Sequence, residues 1–124
     1  MKLTSTVLDT PDPRALATFY QALLGWPIAS DEPDWVTLRP SGGGPGLSFQ
    51  LEPDHVPPVW PVGPGEQRMQ LHLDFEVDGA DAPATAVERA VVAGARLADF
   101  QQQPDVRVMI DPAGHPFCFW TAGL

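Results

Sequence analysis

The chain has 124 residues, of which 44% are apolar, and this is enough for one compact domain with a hydrophobic core. Its formal net charge is −9, with seven Lys and Arg against sixteen Asp and Glu, so we expect neither nucleic acid nor an anionic membrane as a partner. The single cysteine, Cys118, excludes an intramolecular disulfide. Because the sequence also lacks a signal-peptide pattern and any long apolar run, we expect a cytoplasmic protein.

The first 52 residues predict a strand, a helix and three further strands. The helix is the clearest element, because Asp12 can cap it, Pro13 fits its first turn and Gly25 supplies a left-handed exit after Leu24. Its apolar residues recur every three or four positions and form one face for burial: Leu16, Phe19, Tyr20, Leu23 and Leu24. The strands are predicted at residues 3–8, 27–29, 35–39 and 47–52.

A proline-rich connector follows at residues 53–66 and contains Trp60. It has too much proline for the interior of a sheet and is too stiff for a random linker. The connector therefore separates two structured segments.

The second segment, residues 67–124, predicts the same order of elements. A strand at 70–77 precedes a helix at 82–93, and further strands are predicted at 96–100, 106–110 and 117–121. In the first of these strands apolar and polar residues alternate: Leu71, Leu73 and Phe75 against His72, Asp74 and Glu76. We expect the apolar face to lie in the core. Residues 111–114 predict the turn between the last two strands.

The two segments repeat each other at a spacing of 69 residues. Under that shift five pairs of identical residues coincide: Asp9 with Asp78, Asp12 with Asp81, Ala15 with Ala84, Ala17 with Ala86, and Gly25 with Gly94. The sequence therefore predicts an α+β fold of paired βαβββ modules in a single domain, with two four-stranded curved sheets around a cavity and the helices outside. Since each module is too short to bury a core alone, we expect the modules to pack together or with a second chain, as a homodimer.

Two motifs in this order resemble the vicinal oxygen chelate superfamily, which includes glyoxalases, bleomycin-binding proteins and extradiol dioxygenases. Phe-Tyr-Gln-Ala-Leu-Leu-Gly-Trp at residues 19–26 is similar to the end of its first helix, and Asp-Pro-Ala-Gly-His-Pro at 111–116 is similar to its final hairpin. The resemblance covers nearly the whole chain. It implies the fold, but it leaves the activity open because the fold hosts several chemistries.

The resemblance also implies metal ligands on the first, fourth, fifth and eighth strands, which are usually histidine, glutamate or glutamine. His72 stands at the fifth-strand position, whereas Cys118 replaces the glutamate of the eighth strand. The first and fourth strands offer only weak or neutral candidates, namely Leu3, Ser5 and Val7 in the one and Ser48 and Gln50 in the other.

This set does not suit Mg²⁺, Mn²⁺ or Fe²⁺, so we expect no metal or other cofactor. The alternative is a divalent metal such as zinc, held by His72 with Asp74 and Cys118, because zinc accepts thiolate and imidazole ligands.

His72 and Asp74 are the candidate catalytic residues, since a carboxylate beside an imidazole orients a general base. The competing interpretation is an ordinary polar pair in a sheet. Cys118 is a candidate for lining a ligand cavity, and we expect it to act as a small apolar side chain rather than as a nucleophile. Three tryptophans and one glutamine complete the candidate ligand-binding residues: Trp35, Trp60, Trp120 and Gln50.

We therefore expect a glyoxalase/bleomycin-resistance-like protein that binds a small, partly hydrophobic or aromatic molecule in the cavity between its modules, as the sequestering members of that superfamily do. The alternative is a metal-dependent lyase, isomerase or dioxygenase that uses His72. A third class, a structural or regulatory partner protein, would fill the cavity with its own side chains.

Overall fold

The computed structural model describes residues 1–79 and 82–121, which form two compact units, Met1–His55 and Val56–Leu124. Residues 53–55 of the proline-rich connector belong to the first unit, and its remainder, with Trp60, belongs to the second. The second aspartate of the repeat, Asp81, lies outside the described residues.

The first unit is a four-stranded sheet with one helix. Its elements are β1 (Ser5–Thr10), α1 (Pro13–Leu24), β2 (Ile28–Glu32), β3 (Trp35–Leu38) and β4 (Gly46–Leu51). The strand order is β1-β4-β3-β2, with β1 and β4 parallel and the other neighbours antiparallel.

Local signals in the sequence set the limits of α1. The Asp12 carboxylate accepts a hydrogen bond from the Ala15 amide at 3.1 Å, and Gly25 ends the helix at φ +69°. The Tyr20 ring is fully buried and stacks on Phe49 of β4, with ring centroids 5.7 Å apart. The amphipathic face of α1 therefore covers one side of the sheet.

The second unit repeats this architecture. Its elements are β5 (Leu73–Val77), α2 (Ala82–Ala93), β6 (Arg96–Leu97), β7 (Val106–Ile110) and β8 (Pro116–Thr121). The strand order is β5-β8-β7-β6, with β5 and β8 parallel. The predicted α+β class and the paired βαβββ modules are confirmed. Within the described residues, neither twelve-residue helix is long and apolar enough to cross a bilayer.

Two predicted strands are longer than the observed ones. The strand predicted from residue 70 begins at Leu73, because Gln70 has a left-handed backbone with φ +55° and the Leu71 amide donates to the Met69 carbonyl in a tight turn. Leu71 is consequently 59% exposed, and its predicted place in the core is wrong. The strand predicted at 96–100 is regular only over Arg96–Leu97.

Candidate functional site

A cavity of about 170 Å³ lies within the second unit. The residues that line it come from the connector, the segment before β5, the β6–β7 loop, β7 and β8: Trp60, Met69, His72, Gln102, Gln103, Val108, Pro116 and Cys118. Most of these side chains are apolar, and the polar groups are few. That combination is typical of a binding pocket for a small organic molecule.

His72 and Asp74 form the polar pair of this region. They lie two residues apart, so their side chains project from the same face of the chain. The His72 Nε2 atom is 3.2 Å from the Asp74 Oδ1 atom, and the two side chains are 39% and 58% exposed. The pair therefore lies within ion-pair distance and remains accessible from solvent.

Cys118 lies beside this pair. In the parallel ladder Asp74 is the register partner of Cys118, and the thiol is 9% exposed. Burial raises the pKa of the Cys118 thiol from its ordinary 9.0 to about 11, and the charge of the Asp74 carboxylate and a hydrogen bond with it add to the rise. The thiol is therefore protonated at neutral pH, which makes it a poor nucleophile.

The connector supplies one wall of the pocket. The Trp60 indole N–H donates to the Phe100 carbonyl at 3.2 Å, and the two ring centroids are 6.0 Å apart. Trp60 also packs against a buried cluster formed by Ala98, Val108, Ile110 and Cys118. The indole thus covers the apolar core of this face of the sheet.

A second contact holds the connector in place. Gly114, in the turn between β7 and β8, has φ +90°, and a Cβ atom at this position would lie 2.5 Å from the Pro57 Cβ atom. Glycine therefore permits both the turn and the close approach of the connector. The predicted turn at 111–114 is present, with the Asp111 carboxylate accepting hydrogen bonds from the Ala113 and His115 amides.

The side chain of Gln101 shapes the loop that borders the pocket. Its Nε2 donates to the carbonyls of Ala98 and Val108 at 2.8 and 2.9 Å, and its Oε1 accepts from the Val108 amide at 2.8 Å. These bonds replace part of the ladder that a longer β6 would make with β7. They explain why β6 is short.

Of the predicted site residues, the structure brings together four: His72, Asp74, Cys118 and Trp60. Trp120 is half-buried in β8 and pairs in register with Glu76 and Val106, but it is not among the described residues that line the pocket.

Trp35 and Gln50 lie in the first unit, where they are register partners in β3 and β4. The Gln50 amide is 3.5 Å from the Asp9 carboxylate. Their predicted role in binding a ligand stays a prediction.

Sequence reasoning missed five of the pocket residues: Met69, Gln102, Gln103, Val108 and Pro116. Gln102 and Gln103 stand in a run of three glutamines, which has no periodicity that would assign it to a site. Met69 precedes the turn at Gln70, and the expectation of a strand from residue 70 concealed that bend. Val108 carried a usable signal, because it alternates with Val106 and Ile110 along the predicted strand 106–110, so these three side chains are expected on one face.

The residues present do not fit the metal centre that the resemblance implies. Ser5 and Ser48, at the first- and fourth-strand positions, are 2.6 Å apart at their hydroxyl oxygens, and Ser48 is also 2.9 Å from the Thr37 hydroxyl. These neutral hydroxyls satisfy one another, and they are not the carboxylates or imidazoles on which Mg²⁺, Mn²⁺ or Fe²⁺ centres depend. The second unit differs, because one donor atom each of His72, Asp74 and Cys118 lie within 4.8 Å of one another.

The chain belongs to the family of glyoxalase-like domains, whose model matches residues 5–120. The resemblance to the vicinal oxygen chelate superfamily is thereby confirmed. A search of curated proteins finds no relative that matches the chain.

Solved structures agree on the fold. A glyoxalase/bleomycin resistance protein/dioxygenase family enzyme from Burkholderia phytofirmans PsJN is similar with a TM-score of 0.75 and 19% identity, over 99% of this chain and 100% of that one. A glyoxalase-related enzyme from Fulvimarina pelagi has a TM-score of 0.72 and 21% identity, over 98% and 88% of the two chains. A lactoylglutathione lyase from Agrobacterium tumefaciens has a TM-score of 0.64 and 16% identity, over 97% and 92%. Because the identities are low, these similarities establish the fold alone.

Proposed function

We propose that the protein binds a small, partly hydrophobic or aromatic molecule in the pocket of its second unit, and that this binding is its function. The observation that carries the proposal is the lining of the pocket. Trp60, Met69 and Val108 provide apolar walls, while His72 provides a polar group at the edge. This division of roles is what a small-molecule pocket needs for affinity and orientation.

The volume of the pocket limits the size of the bound group. A cavity of about 150 Å³ in another protein is known to hold benzene, and the cavity here measures about 170 Å³. We therefore expect one ring or an aliphatic group of similar size to be enclosed, with any larger part of the ligand extending into solvent.

The polar pair favours ligands that exchange hydrogen bonds with an imidazole. His72 is held beside Asp74 and reaches the pocket, so it can donate to a carbonyl or accept from a hydroxyl group. The nearby Asp74 carboxylate and the net charge of −9 disfavour anions. Neutral phenols and amides are therefore better candidates than carboxylic acids.

The test measures the binding of phenol, benzamide and benzoate to untagged protein in EDTA, with ligand-detected NMR as the assay. We expect phenol and benzamide to bind more tightly than benzoate. The His72→Ala substitution should weaken binding by about fivefold, since one hydrogen bond contributes roughly 1 kcal/mol. His55→Ala, which changes a histidine of the first unit, is the matched control and should leave binding unchanged.

A second pair of variants locates the ligand. Trp60→Phe should weaken binding, because it removes part of the apolar wall and the hydrogen bond to Phe100. Trp35→Phe, in the first unit, should not weaken it. The opposite result would move the ligand to the first module, and no binding of any of the three compounds would contradict the proposal.

We also propose, from the expectations of the sequence, that the protein acts as a cytoplasmic homodimer. Exposed apolar side chains on the edge strands support association with a second copy: Val7 on β1, Ile28 on β2 and Leu97 on β6.

A further inference from the structure

The loop between β6 and β7 is held on both sides by its own side chains. On one side, the Gln101 carboxamide makes three hydrogen bonds with backbone groups of β7 and of the segment that follows β6. On the other side, the Arg107 Nη1 atom donates to the carbonyls of Pro104 and Gln103 at 2.9 and 3.4 Å. Gln102 and Gln103 lie between these two anchors, so their backbone has a defined position beside the pocket.

Gln102 and Gln103 bring two carboxamides to the pocket. Both residues line it, and both are exposed. Within the described residues, 1–79 and 82–121, their side chains make no hydrogen bond, whereas that of Gln101 makes three. Each carboxamide carries N–H donors beside an acceptor oxygen. These donors and acceptors are therefore available to a bound molecule.

The two glutamines and His72 border the pocket on opposite sides of β8. His72 immediately precedes β5, the glutamines lie in the loop that leads into β7, and β8 lies between β5 and β7 in the sheet. Because neighbouring strands are about 4.8 Å apart, β5 and β7 are separated by about 10 Å. An aromatic ring with a polar group at each end can therefore contact both sides of the pocket.

The chemistry of a carboxamide selects the polar group that it binds. A primary amide or a lactam has an N–H and a carbonyl oxygen side by side, so it can form a pair of hydrogen bonds with one glutamine. An ester offers acceptors alone. A carboxylate also offers acceptors alone, and the net charge of −9 repels it. The glutamines therefore favour an amide over either alternative.

We propose that Gln102 and Gln103 determine the specificity of the pocket, and that its ligand is an aromatic compound with a hydroxyl group at one end and an amide or lactam at the other. His72 accepts a hydrogen bond from the hydroxyl group, and the glutamines bind the amide. This inference rests on the proposed binding function and adds the class of ligand to it.

The test compares 4-hydroxybenzamide with its ester analogue, methyl 4-hydroxybenzoate, by ligand-detected NMR on the full chain in EDTA. The two compounds share the ring, the hydroxyl group and a carbonyl group, but only the amide has N–H donors. We expect the ratio of amide affinity to ester affinity to fall by about fivefold in the double variant Gln102→Met/Gln103→Met, which is the contribution of one hydrogen bond. Phenol, which lacks the second polar group, should bind to the double variant as it does to the parent.

Gln67→Met is the matched control, because Gln67 is an exposed glutamine of the second unit and is not among the described residues that line the pocket. It should leave the affinity ratio unchanged. An unchanged ratio in the double variant, an equal fall in Gln67→Met, or binding of phenol without binding of either derivative would overturn the role of the glutamines and leave the binding function intact. If none of the three compounds binds, the proposed function fails and this inference fails with it.

Discussion

Cys118 combines a titratable group with an apolar environment. Its thiol packs in the cluster of Ala98, Val108 and Ile110, and the Asp74 carboxylate lies beside it. Burial and this negative charge act in the same direction, because both disfavour a thiolate. A buried cysteine in a packed strand was the interpretation that the sequence favoured, and the position of Cys118 agrees with it.

The raised pKa of Cys118 makes the stability of the metal-free protein depend on pH. The unfolded chain loses the thiol proton near its ordinary pKa of 9.0, whereas the folded chain keeps it up to about 11. Between these values the folded state binds more protons, so the contribution of Cys118 to the free energy of unfolding falls as pH rises. We expect urea denaturation in EDTA at pH 8, 9 and 10 to show this decline.

Cys118→Ala provides the control for that measurement. The substitution removes the titrating group, so the parent should lose more stability between pH 8 and pH 10 than the variant does. Parallel pH profiles for the two proteins would contradict the assignment, whatever their absolute stabilities.

The site residues that could be predicted are those whose placement follows from spacing along the chain. The spacing of His72 and Asp74 left two interpretations open, a catalytic pair and an ordinary polar pair, and the His72 Nε2 and Asp74 Oδ1 atoms lie 3.2 Å apart. Trp120 shares the strand parity of Cys118, and from that parity alone it was expected in the pocket. Parity specifies the face of a strand but not the position along it, and the pocket lies toward the other end of β8, at Pro116 and Cys118.

At the scale of elements, the helices followed the prediction more closely than the strands. Asp12, Pro13 and Gly25 define α1 through neighbours in sequence, and its observed limits match. Strand limits depend on partners that are distant in sequence. β1 runs to Thr10 rather than Leu8, because its parallel partner β4 continues to Leu51.

The shortening of β6 leads to a prediction about Gln101. Its side chain makes three hydrogen bonds with the backbone of Ala98 and Val108, and it holds the loop before β7. Gln101→Ala would leave the amide of the buried Val108 without that acceptor. We expect it to lower the free energy of unfolding by about 1–3 kcal/mol, measured by urea denaturation.

Gln102→Ala is the matched control for this effect, because Gln102 is an exposed glutamine in the same loop. It should change stability by less than about 0.5 kcal/mol. If the two substitutions lower the free energy of unfolding by the same amount, the side-chain hydrogen bonds of Gln101 do not stabilise the loop.

At the scale of the whole molecule, the sequence repeat determined the architecture. Paired aspartates, alanines and glycines at a spacing of 69 residues predicted two copies of one module, and each unit has the same strand order relative to its helix. The expected cavity between the modules remains a prediction. The pocket within the second unit was not anticipated, because it depends on the path of the connector across one sheet.

The homodimer is testable on the intact chain. Strands β1, β2 and β6 lie at sheet edges and carry exposed apolar side chains, so pairing with a second copy would bury both backbone groups and apolar surface. We expect light scattering to give twice the chain mass of 13.4 kDa, and dilution to lower it. A mass of one chain at all concentrations would contradict the homodimer.

The placement of Trp60 has a consequence for how such proteins diversify. The segment that joins the two repeats also forms a wall of the pocket, because Pro57 lies against Gly114 and Trp60 lies against Phe100. Substitutions or length changes in this joining segment would therefore alter the shape of the pocket while both sheets keep their hydrogen bonds. In a duplicated fold, the junction between copies is the part least constrained by the repeat, and here it forms one wall of the pocket.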